Sequence, residues 1–376
     1  MVPFELTDYL SIHRLLYWRH SLWRSQYDSL ERQKNLQWKL LSRMLDHCFQ
    51  NVPYYRERLQ KSGLRRENFK SLEDLSKIPV INKKNLLENL EYFKADRFEK
   101  YKTRPVRTTG TTGSPLQVYW DRNSNILELL CNWRHFSWFN YRLGMPFLDI
   151  RDYHDHLQSK WRWNWKCRAL ETSIYFWNNS NLDEFADLLK RYKIQFWRGH
   201  PNSISQLCRC FDQTGIPAPK PKFISTIGEN LLDHERRFIE KWVGNSIADS
   251  YGLSEHTALI CQCPSGSYHI ASEYGIVEIL KEDGTSAKCG EEGKIISTGL
   301  HNLAFPLLRY DTGDYAIPSN DVCICGRTLP VIYELTGRIE DRVLDKHGRW
   351  ISCLERSLKT IDGIASAQIV QNLPGE

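Results

Sequence analysis

The chain has 376 residues, of which 41% are apolar and 26% charged, and a formal net charge of +6. That length asks for one large layered unit or two domains, and the composition excludes a disordered or fibrous chain. The charge is mild and its signs are interspersed, unlike the clustered stripe of a nucleic-acid binder, and no run approaches the ~20 apolar residues of a membrane span.

The first twenty residues carry Glu5, Asp8, Arg14 and Arg19, which interrupt the apolar core a secretory signal needs. A cytoplasmic location is therefore expected. The 11 cysteines are odd in number and lack disulfide spacing, so paired cysteines read as metal ligands before disulfides.

Residues 1–103 read as mainly helical. Leu30 to Phe49 has apolar residues at helical spacing, and Val52-Pro53 stops it. Tyr54 to Gly63 reads as a second helix, and Ser71 and Asn82 are cap residues for two more. From 104 the character changes. Strands are expected at 117–120, 147–150, 194–197, 222–227, 246–249, 275–280, 293–298 and 306–310, and helices at 122–139, 181–192, 201–214 and 232–242. Alternation of the two predicts an α/β fold with a parallel component, and the stretch after 270 predicts an antiparallel, strand-rich subdomain. A boundary is expected near Gly337 to Asp341, which leaves segments 1–103, 104–339 and 340–376. The run Trp161-Arg162-Trp163-Asn164-Trp165-Lys166-Cys167-Arg168 is basic and aromatic. It suits a polyanion, an anionic membrane surface or a partner, or is simply a solvated loop or helix face.

Four motifs carry chemistry. Thr108-Thr109-Gly110-Thr111-Thr112-Gly113-Ser114-Pro115 combines glycines, which let backbone N–H groups approach an anion, with hydroxyl donors. It reads as a phosphate loop, although no Gly-Lys-Ser/Thr follows and a Thr-rich surface turn has the same composition. Asp249-Ser250-Tyr251-Gly252-Leu253-Ser254-Glu255 follows a strand-like run, where a carboxylate suits Mg²⁺ and Tyr251 offers a ring face to a base. Asp314, in Tyr310-Asp311-Thr312-Gly313-Asp314, follows a turn glycine as a ribose-binding carboxylate would. Gly337-Arg338-Ile339-Glu340-Asp341 sets a fixed cation and two acids at the expected boundary. Each alone also fits a plain turn; the order and spacing of all four do not.

Together with Asn51-Val52-Pro53-Tyr54-Tyr55-Arg56, Arg198-Gly199-His200-Pro201-Asn202 and Thr226-Ile227-Gly228-Glu229-Asn230, these motifs resemble the adenylate-forming superfamily of acyl-CoA synthetases. Within it the likeness is to the phenylacetate–CoA-ligase-like branch, including its capsular-polysaccharide-biosynthesis members, over nearly the whole chain. The resemblance implies a large multi-sheet α/β N-terminal domain with a strand-rich subdomain, then the start of a small α+β C-terminal domain. It implies that Thr108 to Ser114 wrap the β- and γ-phosphates of ATP. Gly228 and Glu229 would border the adenine, Tyr251 would flank it, and Glu255 would hold Mg²⁺. Asp314 would bind the ribose, Arg338 would meet phosphate or ribose, and the hinge acid falls on Glu340 or Asp341. The activity implied is AMP-forming activation of a small carboxylic acid, then transfer to coenzyme A or another thiol. No nucleic acid and no membrane span are involved.

The family's late catalytic lysine would lie beyond Glu376, with Lys346 a poor substitute, so a non-catalytic nucleotide-binding or scaffold role is the alternative expectation. Zinc-bearing members of the branch carry Cys and His near Cys261-Gln262-Cys263 and Cys323-Ile324-Cys325. A structural Zn²⁺ on Cys263, His269, Cys323 and Cys325, with Cys261 the alternate, is expected; buried unligated thiols are the competing reading. The acid is not named by the sequence. Asp149, Arg151, Asp152 and His154 hint at a substrate more polar than a fatty acid.

Overall fold

The computed structural model describes residues 12–107, 116–151, 160–165, 167–173, 176–177, 180–244, 247–338, 342–344, 350–352 and 371. The chain opens with helices α1 (Ile12–Ser25), α2 (Leu30–Asn51), α3 (Pro53–Lys61) and α4 (Lys83–Glu88). Ser29 caps α2, its hydroxyl accepting from the Arg32 amide at 3.3 Å. Leu41, Met44, Leu45 and Cys48 recur at helical spacing along α2 and are buried. They pack with Tyr55, Phe93, Phe305, Leu307 and Leu308 in one cluster. That packing corrects the strand expected at 306–310: strand β13 begins only at Tyr310. The apolar run before it is a buried loop, apolar because it forms the floor for the N-terminal helices. Arg309 clamps the same loop, donating to both Glu278 oxygens at 3.0 Å and to the carbonyls of Ser76 and Ile78.

Strands β1 (Arg104–Arg107) and β2 (Gln117–Trp120) form a hairpin, followed by α5 (Arg122–Ser137), which Asp121 caps. Then come β3 (Phe147–Arg151), β4 (Trp161–Asn164), β5 (Ala169–Ser173), α6 (Leu182–Arg191) and β6 (Phe196–Gly199). Next are α7 (Pro201–Thr214), β7 (Phe223–Ile227), α8 (Asp233–Val243) and β8 (Ile247–Gly252). After these only strands follow: β9 (Leu259–Gln262), β10 (Tyr268–Ile270), β11 (Gly275–Leu280), β12 (Gly293–Gly299), β13 (Tyr310–Pro318) and β14 (Val331–Arg338). A separate hairpin joins β15 (Arg342–Leu344) and β16 (Trp350–Ser352).

Among the described residues, one sheet of 12 strands runs in the order β11-β12-β13-β14-β10-β9-β8-β7-β6-β3-β5-β4. Pairing is parallel from β5 through β3, β6 and β7 to β8, and antiparallel elsewhere. Alternate residues of the parallel strands face opposite layers. Leu148, Trp197 and Ile224 meet α6, α7 and α8, whereas Phe147, Phe196 and Phe223 meet the end of α5. Of the run at 161–168, read from sequence as a loop or helix face, Trp161–Asn164 form the edge strand β4, while Trp165, Cys167 and Arg168 lie in the turn that follows. On the strand the half-buried Trp161 and Trp163 alternate with Arg162, which reaches back to the buried Glu171. No helix of the described residues is long and apolar enough to cross a membrane.

Helix α1 packs on α5 through Leu22, Ile126, Leu127 and Leu130. Beneath them Arg134 and Glu273 form a fully buried ion pair at 2.8 Å, and Ser25 also donates to Glu273. Removing one partner strands a buried charge, at a cost of about 3–5 kcal/mol. Glu273→Ala should therefore cut unfolding free energy in denaturant titrations by that amount, and the Arg134→Met, Glu273→Leu double variant should recover most of it.

Candidate active site

The site lies where pairing changes from parallel to antiparallel, at the carboxyl end of β8. Strand ends at such a switch leave a crevice with exposed backbone groups. Register sets Thr226 opposite Asp249 and Ile227 opposite Ser250, which brings the turn at Gly228 beside Tyr251. Gly228 holds φ 88, and a Cβ there would lie 2.9 Å from His200 Nε2. Both the left-handed backbone and the close ring require glycine. His200 opens α7 and approaches Glu229 at 3.5 Å.

Tyr251 crosses to the antiparallel half. Its hydroxyl donates to Asp314 Oδ2 at 2.8 Å, and burial pushes the phenol well above its usual range, so it stays a donor. Asp314 is buried on β13, where its amide donates to Thr312 Oγ1 at 3.1 Å. The pairing of β13 with β14 sets Asp314 opposite Arg338 and Tyr315 opposite Gly337. Gly337, at φ 81, lies against Asn230: a Cβ would fall 2.1 Å from its Nδ2. Thus Gly228, Glu229, Tyr251 and Asp314 converge with the end of β14, of which Arg338 is described only as backbone.

Glu255 sits half-buried in the turn after β8 and accepts from the Tyr310 hydroxyl at 3.0 Å. Trp120, at the end of β2, donates to the Ser254 carbonyl at 2.5 Å and stacks on His256 at 4.0 Å. Burial lowers His256 to about 4, so the ring is neutral. These contacts tie the β1–β2 hairpin to the Glu255 turn. Residues 108–115, the Thr-rich loop with Thr108, Thr109, Gly110, Thr111, Thr112, Gly113 and Ser114, lie outside the described residues, as do Asp152, His154, Glu340, Asp341 and Lys346.

Asp249 is a correction. The sequence suggests a carboxylate past a strand end and open to Mg²⁺, but Asp249 is inside β8 and buried. Its oxygens accept from Thr226 Oγ1 at 2.6 Å and Tyr268 Oη at 3.2 Å, while burial raises its carboxyl above the usual range. Sequence reasoning also passed over Trp120, Tyr310 and Gln262. Gln262 is buried, accepts from the Asp249 amide at 3.1 Å and Arg236 at 2.8 Å, and donates to the Gly266 carbonyl at 2.9 Å. No local pattern marks it, because its partners come from three elements.

Gly266 belongs to the turn after β9 that carries Cys263. Cys263, His269, Cys323 and Cys325 place their ligand atoms within 4.8 Å of one another. Cys263 Sγ is 3.6 Å from Cys323 Sγ, and Cys325 Sγ is 3.4 Å from His269 Nε2. A tetrahedron with Zn–S of ~2.3 Å and Zn–N of ~2.0 Å has edges of about 3.5–3.8 Å, so these two separations suit that ion. His269 Nδ1 lies 3.3 Å from the Leu329 carbonyl, which directs Nε2 inward. Cys261 is not in this group. It packs with Leu259, Ala271 and Tyr274, and burial pushes its thiol up to about 12.

No protein-family model matches the chain. It is 25% identical to the phenylacetate–coenzyme A ligase of Thermus thermophilus over 334 residues, covering 86% of this chain and 74% of that protein. It is 23% identical over 333 residues to protein CapK of Staphylococcus aureus, covering 86% and 70%. Among solved structures it matches 2-hydroxyisobutyryl-CoA ligase in the postadenylation state, with a TM-score of 0.71 at 16% identity, over 90% of this chain and 75% of that one.

The contact of Gly337 with Asn230 gives a local test of the geometry. Gly337→Ala should cost about 1–2 kcal/mol for the left-handed backbone alone, plus the displacement of Asn230. Adding Asn230→Ala should return only the displacement part in thermal or denaturant unfolding.

Proposed function

We propose that this homologue of the phenylacetate–coenzyme A ligases, which has the fold of the adenylate-forming acyl-CoA ligases, joins a carboxylic acid to ATP as an acyl-adenylate and passes the acyl group to coenzyme A or another thiol. The observation that carries this reading is the Tyr251–Asp314 hydrogen bond across the parallel–antiparallel switch, with the Gly228 turn and the end of β14 beside it.

In this reading Asp314 accepts from the ribose hydroxyls, held in place by Tyr251. Gly228 and Glu229 border the adenine, and Tyr251 flanks it. Arg338 meets phosphate or ribose, and residues 108–114 wrap the β- and γ-phosphates. A carboxylate oxygen attacks the α-phosphorus in line, and pyrophosphate leaves with the electron pair. Both reactants are anionic, so their approach requires fixed positive groups and backbone N–H donors. Glu255, a partly exposed carboxylate just past β8 oriented by Tyr310, would hold Mg²⁺, which when bound neutralises phosphate charge. The thiol then attacks the acyl carbon and AMP leaves.

The acid is proposed to be more polar than a fatty acid. Asp149 and Arg198, buried at paired positions of β3 and β6, set opposite charges 3.9 Å apart. The location proposed is the cytoplasm, and the setting, by likeness to CapK, is cell-surface polysaccharide biosynthesis. ATP–pyrophosphate exchange over a panel of aryl, hydroxy and fatty acids tests the reading. Exchange with at least one polar acid is expected. Asp314→Asn should raise KM for ATP about 10- to 100-fold, the equivalent of ~1.5–3 kcal/mol of charge-assisted hydrogen bonding. ATP binding without exchange for any acid would sink it.

We also propose that Cys263, His269, Cys323 and Cys325 hold one structural Zn²⁺, which when bound would join the turn after β9 to the loop before β14. One equivalent of zinc by elemental analysis of protein made in zinc-supplied medium is expected. Cys323→Ser should lose the metal and melt several degrees lower. Metal-free wild type of unchanged melting temperature would contradict this.

A further inference from the structure

The edge of the sheet opposite the site is unusual in charge. Strands β3, β5, β6 and β7 start in register there, with Phe147 opposite Ala169, Leu148 opposite Trp197 and Phe196 opposite Phe223. Residues 138–147, 164–169, 190–196 and 213–223, which feed these strand starts, contain no Asp or Glu; the bordering acids are Asp187 and the exposed Asp212, near the ends of α6 and α7. They do contain Arg142, Arg168, Arg191, Lys193, Lys220 and Lys222, all exposed. Lys190 is also present but pairs with Asp187 at 3.2 Å.

Two apolar side chains stand out among these cations. Trp165, at the tip of the β4–β5 hairpin, is 80% exposed, and Leu143 is 57% exposed. Trp163, two residues before Trp165, stacks on Tyr192 at 4.1 Å with the rings 6° apart, which sets strand β4 against the Arg191–Lys193 turn. Arg168 and Lys193 hold left-handed backbone, at φ 54 and 52, where glycine would be relaxed. Helices α6 and α7 end at this edge, and their carbonyl ends favour cations. That accounts for some of the charge but not for an exposed indole and leucine.

We propose that this basic edge docks on an anionic lipid surface. The cations would meet the headgroups, while the amphipathic Trp165 and the aliphatic Leu143 would enter the boundary between headgroup and acyl chain. Leu143 can make no hydrogen bond to a phosphate or a base edge but partitions readily into acyl chains, which favours lipid over a polynucleotide. The orientation leaves the carboxyl ends of the strands, with Gly228 and Tyr251, facing solution.

Co-sedimentation of the full chain with phosphatidylcholine vesicles, with and without about one third phosphatidylglycerol, tests this, since each basic residue near such a surface strengthens binding by about fivefold. Wild type should pellet with the anionic vesicles only, and added salt should release it. Trp165→Ala should weaken binding severalfold, and the Arg168→Glu, Lys193→Glu, Lys220→Glu variant should abolish it. Trp165→Ala should keep the wild-type melting temperature, and the triple variant, which places acids near helix carbonyl ends, should melt a few degrees lower yet stay folded at the assay temperature by circular dichroism. Failure of wild type to bind, equal binding to neutral vesicles, or variants that bind like wild type would each overturn the proposal. So would tight, salt-sensitive binding to RNA without vesicle binding. The test needs no turnover, so it stands or falls apart from the ligase reading.

Discussion

Strand β8 pairs in two ways at once, parallel to β7 and antiparallel to β9, and the site depends on that. On the parallel side a helical crossover brings the chain back with its strand ends aligned, so the turns after β6 and β7 stand together. On the antiparallel side successive strands reverse, so Asp314 arrives from far along the chain. Only a strand shared by both halves can place Tyr251 within hydrogen-bond reach of Asp314 and beside Gly228. The buried hydrogen bonds of Asp249 hold that strand from within, and their loss would leave a buried acid unsatisfied.

The same strand is braced from outside. Gln262 joins the Asp249 amide to the turn that bears Cys263, so strand β8 and that turn share one side chain. Trp120 joins the β1–β2 hairpin to the turn with Glu255. Arg309 ties the segment at 76–78 to β11, and the Arg134–Glu273 pair ties α5 to the strand-rich half. Each brace is a buried polar side chain with partners from distant elements, so each specifies one arrangement of layers where apolar packing alone would tolerate several.

What was legible in the sequence is local. Helix α7 was bounded by Pro201 and Gly215, whose backbone preferences suit a first turn and a left-handed end, and its limits fell where the pattern put them. Strands β2 and β11 likewise matched their apolar spacing. The run at 306–310 misled because a loop that floors a helical layer is as apolar as a strand. The stretch 161–164 misled because its aromatic–polar alternation is short and bounded by no turn glycine or proline.

For the candidate site, the motifs singled out Tyr251, Asp314 and the two cysteine pairs with His269, and the family resemblance added Gly228, Glu229 and Glu255, all as candidates. The sequence determined the α/β class and the change to a strand-rich half after 270, because periodicity and turn residues act over a few positions. It did not determine that Asp249 is internal, that Cys261 faces a different cluster from Cys263, or that the starts of β3, β5, β6 and β7 gather their cations at one edge. Those depend on strand register and on partners far apart in the chain, and register is fixed only when the whole sheet closes on its core.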